Sequence, residues 1–189
     1  LIFNSTHTTI NDLLSNEEQL KFFKEKFIAD MDVQFTKKLY LNDSKKLSEK
    51  KREELYDVIM EQAIAVGLGM ATPERIDEIN ILEATKLGMK KAIEGLAVQP
   101  DVVLTDGNMT IDIVLPQQSV VHGDALSYSI GCASIIAKVH RDSLMDEYAK
   151  VYPHYGFEKN KGYGTAEHIR GIKEQGLCPI HRKTFTKNF

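Results

Sequence analysis

The stretch HGDALSYSIGCASIIAKVHRD, residues 122–142, decides most of the fold. Its apolar residues recur at the period of an α-helix and predict one helix over about 129–148. Ile135, Val139 and Asp142 fall on one stripe of that helix, which begins apolar and ends in a carboxylate. We therefore expect Asp142 at the edge of the core, where a carboxylate needs a cation or hydrogen-bond donors to offset its desolvation.

Two kinds of partner would satisfy Asp142. One is a divalent cation that it shares with other carboxylates, and the other is a salt bridge to Lys138 or Arg141 on the same helix. The sequence leaves both interpretations open.

A second carboxylate, Asp106, ends the β-rich run 102–105 and is followed by Gly107. In α/β sheets, ligands bind at the carboxyl ends of strands, although Asp-Gly is also a common turn. Two convergent carboxylates favour Mg²⁺ or Mn²⁺, because hard cations take oxygen ligands. If Asp106 and Asp142 share one such ion, their carboxylates lie on the order of 4–8 Å apart.

The rest of the chain predicts helices joined by short strands. Helices are expected over 11–27, 48–62, 81–96 and 166–175, with another beginning at Pro73, and strands over 64–70, 102–105, 111–115 and 119–122. Strands followed by long helices are typical of an α/β domain with a mixed sheet. We expect residues 1–189 to form a single domain, with a sheet-and-helix core over 28–149 and a C-terminal extension over 150–189.

Composition excludes several classes of protein. The chain is 42% hydrophobic and 27% charged, as a globular protein is. No apolar stretch approaches the roughly 20 residues of a membrane helix. The two cysteines, Cys132 and Cys178, are too few for a disulfide framework and lack zinc-ligand spacing. These features favour a cytoplasmic protein, and no obligate protein partner is indicated.

Charge is distributed unevenly along the chain. Residues 150–189 contain eight Lys/Arg and three Asp/Glu, whereas residues 1–149 contain sixteen and twenty-four. The basic end includes Lys159, Lys161 and Tyr163 in the segment KNKGYGT, where lysines can meet phosphates and a glycine-flanked ring can approach a sugar or base. The alternative is a solvated surface with a structural turn.

Several ordered motifs resemble the ribonuclease HII family of bacteria. They are NDSKKLS at 42–48, the long stretch 122–142, YGF at 155–157, KGYGT at 161–165 and His181-Arg182. Together they run from about residue 42 to residue 185, roughly three quarters of the chain. Several motifs in one order over that length are far more specific than any single pattern.

The resemblance implies an RNase H-like mixed sheet flanked by helices, with a C-terminal helical extension. It implies Mg²⁺- or Mn²⁺-dependent cleavage of RNA in RNA–DNA hybrids and of single ribonucleotides embedded in DNA, leaving 5′-phosphate and 3′-hydroxyl ends. Asp106 and Asp142 match metal-binding catalytic aspartates of the family, and Tyr163 matches the tyrosine that stacks on a sugar at the RNA-to-DNA junction. The expected phosphate contacts are Lys45, Lys159, Lys161 and Arg182.

The chain departs from the family pattern near residue 33. The family has a block D-E-A-G-R-G, which supplies two metal carboxylates and the backbone that reads the 2′-hydroxyl. Here the run FIADMD at 27–32 places Asp32 on the first catalytic aspartate, but Val33 follows where glutamate is expected. Relative to the pattern, about twenty residues are lacking near 33–41. The alternative function is therefore a catalytically impaired or non-catalytic nucleic-acid-binding relative.

Overall fold

The computed structural model describes residues 47–187. Its helices are α1 (Glu49–Gln62), α2 (Pro73–Glu94), α3 (Gly123–Leu126), α4 (Tyr128–Val151), α5 (Phe157–Asn160) and α6 (Ala166–Gln175), with a 3₁₀ turn at Pro153–Tyr155; the strands are β1 (Val103–Asp106) and β2 (Gln117–Val120). The helix predicted over 11–27, the interrupted region 33–41, Asp32 and Lys45 lie outside the described residues. No helix within 47–187 is long and apolar enough to cross a membrane.

Strands β1 and β2 pair in parallel, with Val103 opposite Gln117 and Asp106 opposite Val120. Their short connection folds back because the Gln117 side chain accepts a hydrogen bond from the Ile111 amide at 2.7 Å and donates one to the Ile111 carbonyl at 2.8 Å. These bonds satisfy the backbone amide and carbonyl of Ile111 without a neighbouring strand. The strand predicted over 111–115 is therefore wrong. The α/β class is confirmed, and the sheet within 47–187 is parallel throughout.

The strand predicted over 64–70 is also wrong, because this segment packs on helix α2 without joining the sheet. A Cβ atom at Gly67 would lie 2.1 Å from the Ala92 carbonyl oxygen, and one at Gly69 would lie 1.8 Å from that of Gly88. The glycines therefore let the extended backbone lie directly against the helix backbone. The apolar composition reflects this contact and not strand pairing.

Gly69→Ala is expected to destabilise the fold by about 1–3 kcal/mol, because the added methyl group overlaps backbone that cannot move aside easily. Gly95→Ala is the matched control, since its Cβ would lie 3.2 Å from the Lys91 carbonyl oxygen at the end of helix α2. Urea unfolding of both variants measures the difference. Equal stability of the two would contradict this packing.

Helix α2 contains the two helices that the sequence predicts, joined at Asn80. Asn80 has φ 69° and ψ 167°, which breaks the helical path. Its side-chain Oδ1 accepts hydrogen bonds from the amides of Leu82 at 2.9 Å and Glu83 at 3.1 Å, so it caps the second half.

Helix α4 carries both parts of the hydrophobic core. Its first half packs on α1, where Leu55 and Ile59 meet Cys132 and Ile135. Its second half packs on the helical C-terminal extension through a cluster of Met145, Tyr155, Phe157, Ile172 and Cys178. The long helix therefore joins the sheet side of the molecule to the basic end.

Candidate functional site

Asp106 is exposed at the carboxyl end of β1 and held by a backbone donor. The Gly123 amide donates to Asp106 Oδ1 at 2.8 Å. Gly123 is buried, and a Cβ there would lie 2.5 Å from Ile130 Cδ1, so a larger residue would require the Ile130 side chain to shift. Gly107 follows with φ 86°, so Asp106 both ends the strand and begins an Asp-Gly turn.

Asp142 is buried on α4 with 6% of its surface exposed. Lys138 Nζ donates to its Oδ1 at 2.7 Å, and Arg52 Nη2 of helix α1 lies 3.6 Å from its Oδ2. Two cations therefore offset the desolvation of the carboxylate. The salt bridge to Lys138 that the sequence allowed is present. The Arg141 guanidinium instead lies over the Tyr163 ring.

Tyr163 lies on a loop between α5 and α6 with 62% of its surface exposed. Its ring centroid is 5.3 Å from Arg141 Cζ and 5.9 Å from Lys138 Nζ. A Cβ at Gly162 would lie 3.2 Å from Met145 Cε, which shows that the loop packs on α4 one turn from Asp142. Helix α4 thus brings Asp142, Lys138 and Arg141 to the same place as the exposed ring.

The three basic residues predicted from the C-terminal end lie in different environments. Lys159 is exposed, whereas the Lys161 side chain is 12% exposed and is paired with Asp146 of α4. The Arg182 Cζ atom lies 3.8 Å from the centroid of the Phe185 ring. Burial, together with repulsion from Arg141, lowers the pKa of the Arg182 guanidinium. Arg182 stays a predicted phosphate contact.

Sequence reasoning missed Arg52 and did not assign Arg141 to the ring of Tyr163. Arg52 lies on the predicted helix 48–62, one turn after its N-cap Ser48, and the apolar stripe of that helix does not indicate its partner. A signal was present: a buried carboxylate on one helix requires a cation from a neighbouring element.

Carboxylate oxygens suit a divalent metal, but the described residues do not complete a metal site. No three His, Cys, Asp or Glu side chains within 47–187 lie close enough to hold an ion together. Asp106 and Asp142 are two members of the predicted set, and their separation of about 4–8 Å stays a prediction. The third predicted member, Asp32, lies outside the described residues.

Comparisons with known proteins agree on one family. The family model described as Ribonuclease HII matches residues 26–188. Ribonuclease HII of Lachnoclostridium phytofermentans is 57% identical over 150 residues, covering 79% of this chain and 59% of the relative. Ribonuclease HII of Enterococcus faecalis is 58% identical over 147 residues, covering 78% of this chain and 57% of the relative. The chain thus spans less than two thirds of the length of these curated relatives.

A solved structure shows the same fold. The crystal structure of ribonuclease H2 from Pyrococcus horikoshii OT3 matches with a TM-score of 0.65 at 23% identity, covering 82% of this chain and 81% of that one. At this identity the match supports the RNase H-like fold that the motifs predicted.

Proposed function

This chain belongs to the ribonuclease HII family, and we propose on that basis that it is a metal-dependent endoribonuclease. Its proposed substrates are the RNA strand of RNA–DNA hybrids and single ribonucleotides embedded in DNA, and its products carry 5′-phosphate and 3′-hydroxyl ends. The observation that carries the proposal is the packing of the Tyr163 loop on α4, beside the buried Asp142. Because such substrates arise in DNA replication and repair, the proposed place of action is the cytoplasm.

The proposed metal is Mg²⁺ or Mn²⁺, held by Asp106, Asp142 and Asp32. When bound, such an ion supplies an activated water and stabilises charge on the phosphate. Other residues of the chain position these carboxylates. The Gly123 amide orients Asp106, while the ion pairs with Lys138 and Arg52 fix the position of Asp142.

The proposed nucleic-acid contact centres on the Tyr163 ring. A sugar or base can stack on the exposed ring, while Arg141 and Lys138 lie against it and offer positive charge to phosphates. Arg182 is a further proposed phosphate contact. Lys159 and Lys45 remain proposed phosphate contacts. Lys161 is proposed to act mainly through its ion pair with Asp146, which ties the loop to α4.

Tyr163→Ala is expected to lower cleavage at a single embedded ribonucleotide by about 5- to 100-fold, because aromatic stacking on a base is worth about 1–3 kcal/mol. Tyr163→Phe keeps the ring and is expected to retain most of the activity. Initial rates on a labelled duplex measure both. A phenylalanine variant as weak as the alanine variant would show that the hydroxyl, and not stacking, is responsible.

Lys159→Ala is expected to flatten the salt dependence of DNA binding by about 0.9 in log K against log salt, the effect of one lost phosphate contact. Lys161→Ala is the matched control, because its charge is already neutralised by Asp146. Fluorescence anisotropy over a salt series measures both slopes. An unchanged slope for Lys159→Ala would favour a solvated surface without phosphate contact.

The proposed function is tested on four labelled duplexes: all-DNA, DNA with one embedded ribonucleotide, an RNA–DNA hybrid and double-stranded RNA. We expect metal-dependent cuts in the second and third, 3′-hydroxyl ends on the products, and no cleavage after chelation. Binding to the two ribonucleotide-containing duplexes without cleavage would instead support the non-catalytic relative.

A further inference from the structure

Two buried histidines lie directly behind the Tyr163 loop. His168 on α6 and His181 near the C-terminus are 6% and 8% exposed. Their Nε2 atoms are 2.9 Å apart, and the His168 Nδ1 atom is 2.9 Å from the Tyr163 carbonyl oxygen. On the far side, the Cys178 amide donates to His181 Nδ1 at 2.9 Å. The four groups form one continuous chain from the core to the loop.

The hydrogen bonds of this chain fix where its protons lie. Two backbone atoms of Cys178 face His181 Nδ1, the amide nitrogen at 2.9 Å and the carbonyl oxygen at 3.2 Å. The shorter contact is with a donor, so we assign Nδ1 as its acceptor and place the proton of the neutral ring on Nε2. That proton is donated to His168 Nε2, which must accept, so His168 carries its own proton on Nδ1. His168 Nδ1–H then donates to the Tyr163 carbonyl. With both rings neutral, every bond has one donor and one acceptor.

The anchored carbonyl belongs to the residue whose side chain faces solvent. The Tyr163 carbonyl is held by His168 Nδ1 and by the Thr165 amide at 2.8 Å, while its amide donates to the Asn160 carbonyl at 2.8 Å. The Tyr163 backbone is therefore fixed on both sides, and the ring projects from it toward Arg141. Loss of the His168 bond would free the side of the loop that faces the core.

We propose that His168 and His181 are positioning residues that hold the Tyr163 ring for contact with a ribonucleotide. The role of Tyr163 rests on the proposed function. The pair itself touches no substrate, because it is buried behind the loop against Tyr155 and Phe157.

The surroundings of His181 favour its neutral form, in which the chain of hydrogen bonds is complete. The titratable groups that face this ring, besides His168, are the Cys178 thiol, 3.0 Å from His181 Nδ1, and Tyr155, whose ring centroid is 4.9 Å from that of His181. Burial raises the pKa of both Cys178 and Tyr155, so both stay neutral and supply no counter-charge. Burial lowers the pKa of His181, and it outweighs the opposing effect of the hydrogen bond to the Cys178 backbone.

The first test reads protonation directly, by ¹⁵N NMR of the imidazole rings and the Tyr163 ¹³C carbonyl shift in the unaltered chain. We expect the Nδ1–H form of His168 and the Nε2–H form of His181 at neutral pH, with a Tyr163 carbonyl shift typical of a hydrogen-bonded carbonyl. An Nε2–H form of His168, which cannot donate to the Tyr163 carbonyl, would overturn the proposal. This test needs neither activity nor a variant.

The second test separates positioning from folding with two variants that lose the same ring. His168→Asn places an amide nitrogen near the position of Nδ1 and can still donate to Tyr163, whereas His168→Gln places it near Nε2. The readout is the ratio of cleavage at one embedded ribonucleotide to cleavage of a continuous hybrid. We expect His168→Gln to lower this ratio about fivefold or more, the effect of one lost hydrogen bond, and His168→Asn to lower it less.

A merely structural role would lower both cleavage rates together and leave the ratio unchanged, which would overturn the proposal. If the unaltered chain cleaves neither substrate, the proposed function fails, and the NMR result alone decides the role of the pair.

Discussion

Asp106→Asn is expected to lower metal-dependent cleavage by about 10²–10³-fold, the usual effect of removing one charge-stabilising group from a pre-organised site. The fold should survive, because asparagine keeps the oxygen that accepts the Gly123 amide at 2.8 Å. The side chain is also exposed, so its charge is not needed for packing. Single-turnover rates on a duplex with one embedded ribonucleotide, with and without Mn²⁺, measure the effect.

Asp112→Asn is the matched control for this variant. Asp112 is another exposed carboxylate on the same connection, paired with Lys90 at 2.8 Å. The Asp112→Asn variant should cleave at the rate of the unaltered chain. If Asp106→Asn cleaves equally well, Asp106 is only the turn residue that an Asp-Gly pair often is.

Restoring the block D-E-A-G-R-G after Met31 is expected to raise the rate at a single embedded ribonucleotide by at least about 10²–10³-fold. The reason is that Val33 occupies the position where the family pattern has a glutamate ligand. The Gly-Arg-Gly backbone that reads the 2′-hydroxyl is lacking as well, and Tyr163 replaces neither by stacking.

The control for the restored chain carries D-Q-A-G-R-G, which has the same length and lacks only the carboxylate. It should regain binding selectivity for the ribonucleotide but little of the rate. If the unaltered chain already cleaves as fast as the restored one, the placement of Asp32 is wrong, and other residues within 28–41 supply the ligands.

The sequence predicts the elements whose stability depends mainly on residues within the element itself. The helices over 48–62, 129–148 and 166–175 agree with α1, α4 and α6 to within a few residues, because their apolar spacing and caps lie within each segment. The C-terminal strand position of Asp106 also follows from its neighbours alone. The strand predicted over 119–122 lies two residues too late, because β2 is Gln117–Val120.

The errors arise where a distant part of the chain decides the structure. Apolar residues over 64–70 suit a strand or a helix-packing segment equally, and only the closeness of Gly69 to Gly88 of α2 selects the second. Arg52 reaches Asp142 from another helix, at a separation in sequence that no periodicity detects. The His168–His181 contact likewise joins residues whose meeting depends on the folded C-terminal extension.

Mn²⁺ binding tests most directly whether Asp106 and Asp142 share one divalent-ion site. Electron paramagnetic resonance counts free Mn²⁺ in titrations of the unaltered chain, Asp106→Asn, Asp142→Asn and the double variant, with thermal unfolding measured on the same samples. A shared site predicts that each single variant loses at least about 10–100-fold in affinity and that the double variant loses little more. Undiminished binding in either single variant, or losses that simply add, would contradict a shared site.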